Sequence, residues 1–291
     1  MFLSKFAEMI FTLLVAFGGG KYAGNSPYSF QAVDACGTDK LSPVCALTPQ
    51  CEVRAWRCAP PRWSDARGAW VIPETKKRAE ERYHKIAESI ARVSFMQARC
   101  RDSYGVVVEE CKTSMWPEGP TSLAMVAATT ALWESGLRED IMYGYAPRGR
   151  GSMGEACLTQ VMPSQIRQFA SWIPQEELDA YDKLPLGPER SKIDEKWAQQ
   201  MLGGSPEALD RCFDVAMRAL ARSRWSCGSQ KGSWAYKMWA RYGTGSKCSS
   251  FGIHDDFAAK RASTYHRMQH YRKGAGSSPV EAVPEKVAAA D

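Results

Sequence analysis

The chain has 291 residues, 44% of them hydrophobic, which is enough apolar material for a real core and excludes global disorder. Its formal net charge of +6 is moderate: there is no dense positive stripe of the kind that marks a nucleic-acid binder, and none is expected as a partner. The charge suits an anionic polymer such as a bacterial cell wall, and solubility alone accounts for it equally well. Ten cysteines, an even and high count, point to disulfides and an oxidising compartment. No Cys-x-x-Cys pair occurs and no histidine has tight metal-type spacing to a cysteine, so a structural metal is disfavoured.

Residues 2–17 are apolar except for Ser4, Lys5, Glu8 and Thr12. The run is shorter than the roughly 20 residues a spanning helix needs. Three readings of residues 1–23 stay open: a signal peptide, a weak membrane anchor, or a helix buried in an assembly. Residues 24–73 are rich in Pro, Cys and Trp, and Cys36, Cys45, Cys51 and Cys58 are expected to staple an irregular extension. A helix follows from Pro73 and Glu74, with Tyr83, Ile86, Ile90, Val93 and Met96 on one stripe. Phe95 joins the core beside them. Lys76, Lys77, Arg78, Glu80, Glu81 and Arg82 form a solvated face, and His84 is expected to be exposed. Residues 104–108 give the main strand signal.

Pro117, Gly119 and Pro120 punctuate the chain before a helix over 121–134, where Leu123, Val126, Ala127 and Thr130 share the face that leads to Glu134. Pro163 starts another helix through Ile166, Phe169 and Trp172. A further helix is expected over 188–202. Ser205 is an N-cap with Pro206 at the first helical position, opening a stripe of Leu209, Cys212, Phe213, Ala216 and Leu220. Helices over 233–242 and 254–271 complete the pattern. Arg261, His266, Arg267, His270, Arg272 and Lys273 make the last one basic, which reads as a solvated face ahead of a wall-binding or membrane-binding patch. The tail, 274–291, is Gly, Ser, Pro, Glu and Ala rich and reads as flexible.

Glu134 is the principal candidate for chemistry. A carboxyl closing an apolar helix can be kept protonated near neutral pH and donate its proton to a leaving group. Composition alone favours a surface glutamate at a helix end, where a negative charge is mildly unfavourable. Trp133, next to it, points to another face and is expected in the core.

Glu134-Ser135, then Gly154, Leu158, Gln160, Met162 and Pro163, then Tyr242-Gly243-Thr244-Gly245, resemble three motifs of the soluble lytic transglycosylase domain, a member of the lysozyme-like superfamily. The likeness covers roughly residues 117–271. Glu155, Cys157 and Thr159 depart from the family pattern, Gly243 stands where the family has asparagine, and the loop between Glu134 and Gly154 is longer than usual. That loop carries Asp140, Tyr143, Tyr145, Arg148 and Arg150. Cys157 is free to anchor its loop covalently to another cysteine. Cys227 and Cys248 bracket the helix leading to Tyr242 and are expected to pair.

The resemblance implies a mainly α, lysozyme-like domain over residues 74–273, preceded by the Cys-rich extension. It implies cleavage of the β-1,4 bond between N-acetylmuramic acid and N-acetylglucosamine in peptidoglycan, with Glu134 as acid and then base. Ser135, Gly154, Gln160, Met162 and Tyr242 would bind or border the glycan strand, and no metal or organic cofactor is called for. A lysozyme-type hydrolase would need a second carboxylate, for which Glu155 leads, ahead of Glu139 and Asp140. A non-catalytic, wall-binding component of a phage virion or secretion machine is the alternative from another class; its partners would be other subunits of that assembly. The expected location is extracytoplasmic or virion-associated, with residues 2–17 available for weak membrane association.

Overall fold

The structure is a computed structural model that describes residues 2–18, 62–64, 69–71, 76–99, 116–144, 154–227, 233–245, 247–248 and 253–274. It is mainly helical, as the periodicity implies. In chain order the helices are α1 (Phe2–Gly18), α2 (Lys76–Arg99), α3 (Gly119–Ser135), α4 (Glu139–Met142), α5 (Pro163–Phe169), α6 (Gln175–Lys183), α7 (Pro188–Gln199), α8 (Pro206–Cys227), α9 (Trp234–Thr244) and α10 (Ile253–Gly274). Two short strands, β1 (Arg62–Ser64) and β2 (Ala69–Val71), pair antiparallel with Trp63 opposite Trp70. Cys36, Cys45, Cys51 and Cys58, the strand expected at 104–108, the loop residues 145–153 and the tail after Gly274 lie outside the described residues.

Helix α3 is the centre of the bundle. Apart from Glu134 its residues from Leu123 on are apolar or small and uncharged, and those from Ser122 to Ala131 are buried without exception. A helix apolar on every side has to lie inside. Pro120 sits in its first turn, where the missing N–H costs nothing. Gly136, at φ 59°, ends it in the left-handed conformation and donates its N–H to Leu132 O.

Helices α1, α2, α8 and α10 pack around α3. The α2 stripe of Tyr83, Ile86, Ile90 and Val93 is buried. Met96, expected on that stripe, is 50% exposed, because the buried face continues through Ser94 and Ala98 and leaves Met96 on the other side of the helix. Arg82, expected in solvent, is buried with its guanidinium 5.2 Å from the Tyr83 ring, its stem lying along the apolar face. His84 is exposed as expected and stacks on Phe11 of α1.

Helix α1 buries Phe6, Ala7, Ile10, Leu13, Leu14 and Phe17 against α2 and α3. Among the described residues no helix is long and apolar enough to cross a membrane. The helix from Pro163 ends at Phe169, short of Trp172, and α6 was not foreseen because its stretch, QEELDAYDK, is mostly polar. At the start of α8 the Ser205 hydroxyl accepts the Ala208 N–H at 3.2 Å, the N-cap its sequence implies. All five residues of the expected α8 stripe are buried.

Because Leu14 is 0% exposed between α1 and its neighbours, Leu14→Ala is expected to lower the unfolding free energy by about 2–5 kcal/mol. Urea titration followed by far-UV circular dichroism measures this, and an unchanged midpoint would mean that α1 adds nothing to the core.

Candidate functional site

Glu134 stands on the last turn of α3, with its side chain 18% exposed. The turn beneath it is tightly built. The Ser135 hydroxyl donates to Ala131 O at 2.8 Å and accepts the Leu137 N–H at 3.2 Å. Gly136 and Leu137 both take left-handed backbone angles, so the chain doubles back directly after the carboxyl. Ser135 is 0% exposed. Expected among the ligand-contacting residues, Ser135 has its hydroxyl engaged in shaping the helix end.

Arg261 of α10 donates from Nη2 to Glu134 Oε1 at 2.6 Å, with its own side chain 10% exposed. This corrects the reading of Arg261 as part of a solvated basic face. Ala258, Ala262, Tyr265 and Met268 are buried, and Arg261 lies on the same side of α10. The 258, 261, 262, 265, 268 spacing is helical and was the signal that could have found it. Side-chain contacts hold the register of α3 against α10. Trp133 Nε1 donates to Thr264 Oγ1 at 3.0 Å, and the Thr129 hydroxyl lies 3.5 Å from Met268 Sδ. Pairs 134–261, 133–264 and 129–268 run antiparallel, so the pairing of Glu134 with Arg261 follows from how the two helices dock.

The second motif forms a tight hairpin end. Ala156 and Val161 exchange both backbone hydrogen bonds, at 2.9 and 3.0 Å, and residues 157–160 make the turn between them. Cys157 and Gln160 adopt φ of 59° and 50°, angles unusual for residues with side chains. Two bonds hold them there. A disulfide joins Cys157 to Cys212 on α8, and Gln160 Nε2 donates to Cys157 O at 2.8 Å. Gly154, at φ 84°, approaches Pro163, and Met162 donates its N–H to Gln165 Oε1 at 2.8 Å to open α5. Gly154, Gln160 and Met162 are half-buried.

Tyr242 of α9 links this turn to Glu134. Its hydroxyl donates to Thr159 O at 2.9 Å, and it is buried. The expected Cys227–Cys248 disulfide is present and ties the end of α8 to the segment after α9. One turn earlier on α9, Trp239 Nε1 donates to Thr130 Oγ1 at 3.0 Å. Thr130 and Ala127, on the face that leads to Glu134, are both fully buried, and Trp239 packs on Thr130.

The electrostatics of the cluster follow from its burial. Burial pushes the Glu134 carboxyl above the usual carboxylate range; the Arg261 charge pulls it back down, and the Glu155 charge pushes it up again. The Tyr242 phenol is raised by burial and then by the nearby Glu134 charge. Glu134 thus feels the charges of Arg261 and Glu155, and Tyr242 those of Glu134 and Arg261, although the four come from two distant helices, a loop and a third helix. Glu139 and Asp140 lie in α4, and Tyr143 follows it half-buried. Among the described residues no group of His, Cys, Asp and Glu is arranged to hold a metal ion.

Comparison with protein-family models, with curated proteins and with solved structures finds no match to this chain.

The covalent hold on the turn has a measurable consequence. Replacing Cys157 and Cys212 together with serine is expected to cost about 2–4 kcal/mol in unfolding free energy. Amide hydrogen exchange at Gln160 and Val161, whose N–H groups bond within the hairpin, should accelerate more than exchange in α10. Uniform acceleration would mean that the disulfide stabilises the whole domain and does not act on the turn.

Proposed function

We propose that this chain is a peptidoglycan lytic transglycosylase of lysozyme-like fold, cutting the bond between N-acetylmuramic acid and N-acetylglucosamine with Glu134 as its acid and base. The observation that carries the reading is a buried carboxyl at a helix end, raised by desolvation, beside the tyrosine and the turn supplied by the other two motifs. The resemblance of those motifs to the soluble lytic transglycosylase domain supplies the reaction.

Glu134 begins protonated. It gives its proton to the glycosidic oxygen, the C1–O4 bond breaks, and the electron pair leaves with that oxygen, which becomes the 4-hydroxyl of the departing N-acetylglucosamine. Positive charge develops at C1 and the ring oxygen of the muramic acid residue. The 6-hydroxyl oxygen of that residue then bonds to C1, and its proton passes to the Glu134 carboxylate. The product is a 1,6-anhydro sugar, no water is consumed, and the acid is restored.

Gln160 supports a substrate-facing role. It is half-buried, and its amide nitrogen is used on Cys157 O, while no hydrogen bond from a described residue reaches its amide oxygen. That oxygen is an acceptor for a sugar hydroxyl or N-acetyl N–H. Gly154 and Met162 border the same turn. Disulfides at Cys157–Cys212 and Cys227–Cys248 suit an oxidising, extracytoplasmic or virion-borne setting.

The charge of Glu155 favours a second reading, a hydrolase in which that carboxylate holds a water. The two differ in product. Digested muropeptides with anhydro ends are expected by mass spectrometry, whereas reducing ends would mean hydrolysis. In zymography on peptidoglycan, Glu134→Gln should lose about 100-fold or more of the activity. Its stability should stay within about 1–2 kcal/mol of wild type, since the amide oxygen can still accept from Arg261. Equal clearing by both proteins would sink the assignment, and no clearing by wild type would favour a wall-binding component.

Because the working acid is the protonated form, activity should fall as pH rises through the Glu134 midpoint. Glu155→Gln removes a like charge and should move that fall to lower pH while anhydro products persist.

A further inference from the structure

We infer that Arg261 is the positioning residue that lets Glu134 act alone: by holding Oε1 it leaves Oε2 as the single proton-carrying oxygen, and it steadies the carboxylate between proton donation and proton return. The inference rests on the transglycosylase reading of Glu134.

A guanidinium facing a carboxylate usually engages both oxygens through two parallel hydrogen bonds. Here only Nη2 engages, on Oε1, and among the described residues no hydrogen bond reaches Oε2. Arg261 Nε is itself buried and finds no partner among them. The arginine has been drawn out of water, with Phe257 5.8 Å from its guanidinium carbon, for a one-oxygen contact. Such an arrangement costs stability relative to a two-pronged pair. It yields a carboxyl with one oxygen fixed by the guanidinium and one that no hydrogen bond from a described residue holds.

The reaction requires this asymmetry. The proton has to leave from, and return to, the same side of the sugar, so one oxygen should do both. The step between leaves a carboxylate in a desolvated site beside Glu155, and among the described residues that act on it Arg261 alone carries opposite charge; Tyr242 stays neutral. Without Arg261 the proton would be held too tightly to be given, and the carboxylate formed would have no counter-charge. With it, no second carboxylate is needed, which assigns Glu155 to tuning the acid and not to holding water.

The test compares wild type, Arg261→Gln and Arg261→Lys in two ways. The Glu134 carboxyl is titrated by carbon-13 NMR on glutamate-labelled protein, with Glu134→Gln identifying the resonance, and the pH profile of peptidoglycan cleavage is recorded. Arg261→Gln should raise the Glu134 midpoint by about one unit or more. The alkaline fall in activity should move with it, and cleavage at neutral pH should drop roughly tenfold or more. Arg261→Lys should return the midpoint most of the way and recover part of the rate. A wild type that cuts glycan, with a midpoint unmoved in Arg261→Gln, overturns the inference alone. Lost activity with no shift and no rescue by lysine also overturns it, since that is what a purely structural arginine would give. A wild type that cuts no glycan overturns the transglycosylase reading and the inference with it. Should Arg261→Gln fail to fold, the wild type still decides. The Arg261 guanidinium nitrogen-15 resonances should titrate at the Glu134 midpoint and stay flat in Glu134→Gln, and flat wild-type resonances overturn the inference.

Discussion

A helix with no polar face can end only in one of two ways: it stops before any charge, or it carries a charge into the interior and must find that charge a partner. Helix α3 does the second. Its burial on all sides delivers Glu134 to a site where an unpaired carboxylate would be strongly disfavoured. Arg261 answers that need from α10, and the docking of α10 on α3 through Trp133, Thr264, Thr129 and Met268 makes the meeting obligatory. The acid strength of Glu134 is therefore a property of helix packing, because desolvation and counter-charge both come from neighbours distant in sequence.

The hairpin from Ala156 to Val161 is the second constraint. Its turn uses backbone angles that Cys157 and Gln160 would not choose, and it persists because surrounding bonds over-determine it. The disulfide fastens it to α8, and the Tyr242 hydroxyl fastens its carbonyl to α9. Cys157 holds a backbone angle that glycine would adopt freely, and its covalent bond supplies by anchorage what glycine would supply by conformational freedom. Thr159, fully buried between the two sulfurs and the Tyr242 hydroxyl, fits the same scheme.

Much of the helical framework was legible in the sequence, because amphipathic helices announce themselves by period and cap. The α8 stripe, its Ser205 cap, the α2 stripe to Val93 and the Cys227–Cys248 pair were all expected on local grounds. The failures were also physical. Helix α6 is short and polar for most of its length, with only Leu178 and Tyr181 to mark an apolar side. Met96 lies off the buried face, which continues through Ser94 and Ala98. Arg82 and Arg261 have the composition of solvent-facing residues, and only their position on a buried stripe says otherwise.

The sequence by itself determined that this chain is helical, that it can form disulfides, and that Glu134 closes an apolar helix. These depend on neighbours three or four residues away, or on residue type alone. Only the tertiary structure decided that Ser135 is buried in the helix end, that Trp239 packs on Thr130, and that Arg261 meets Glu134. Those outcomes depend on which helix faces pack together, and residues 127 positions apart become partners only when α3 and α10 dock.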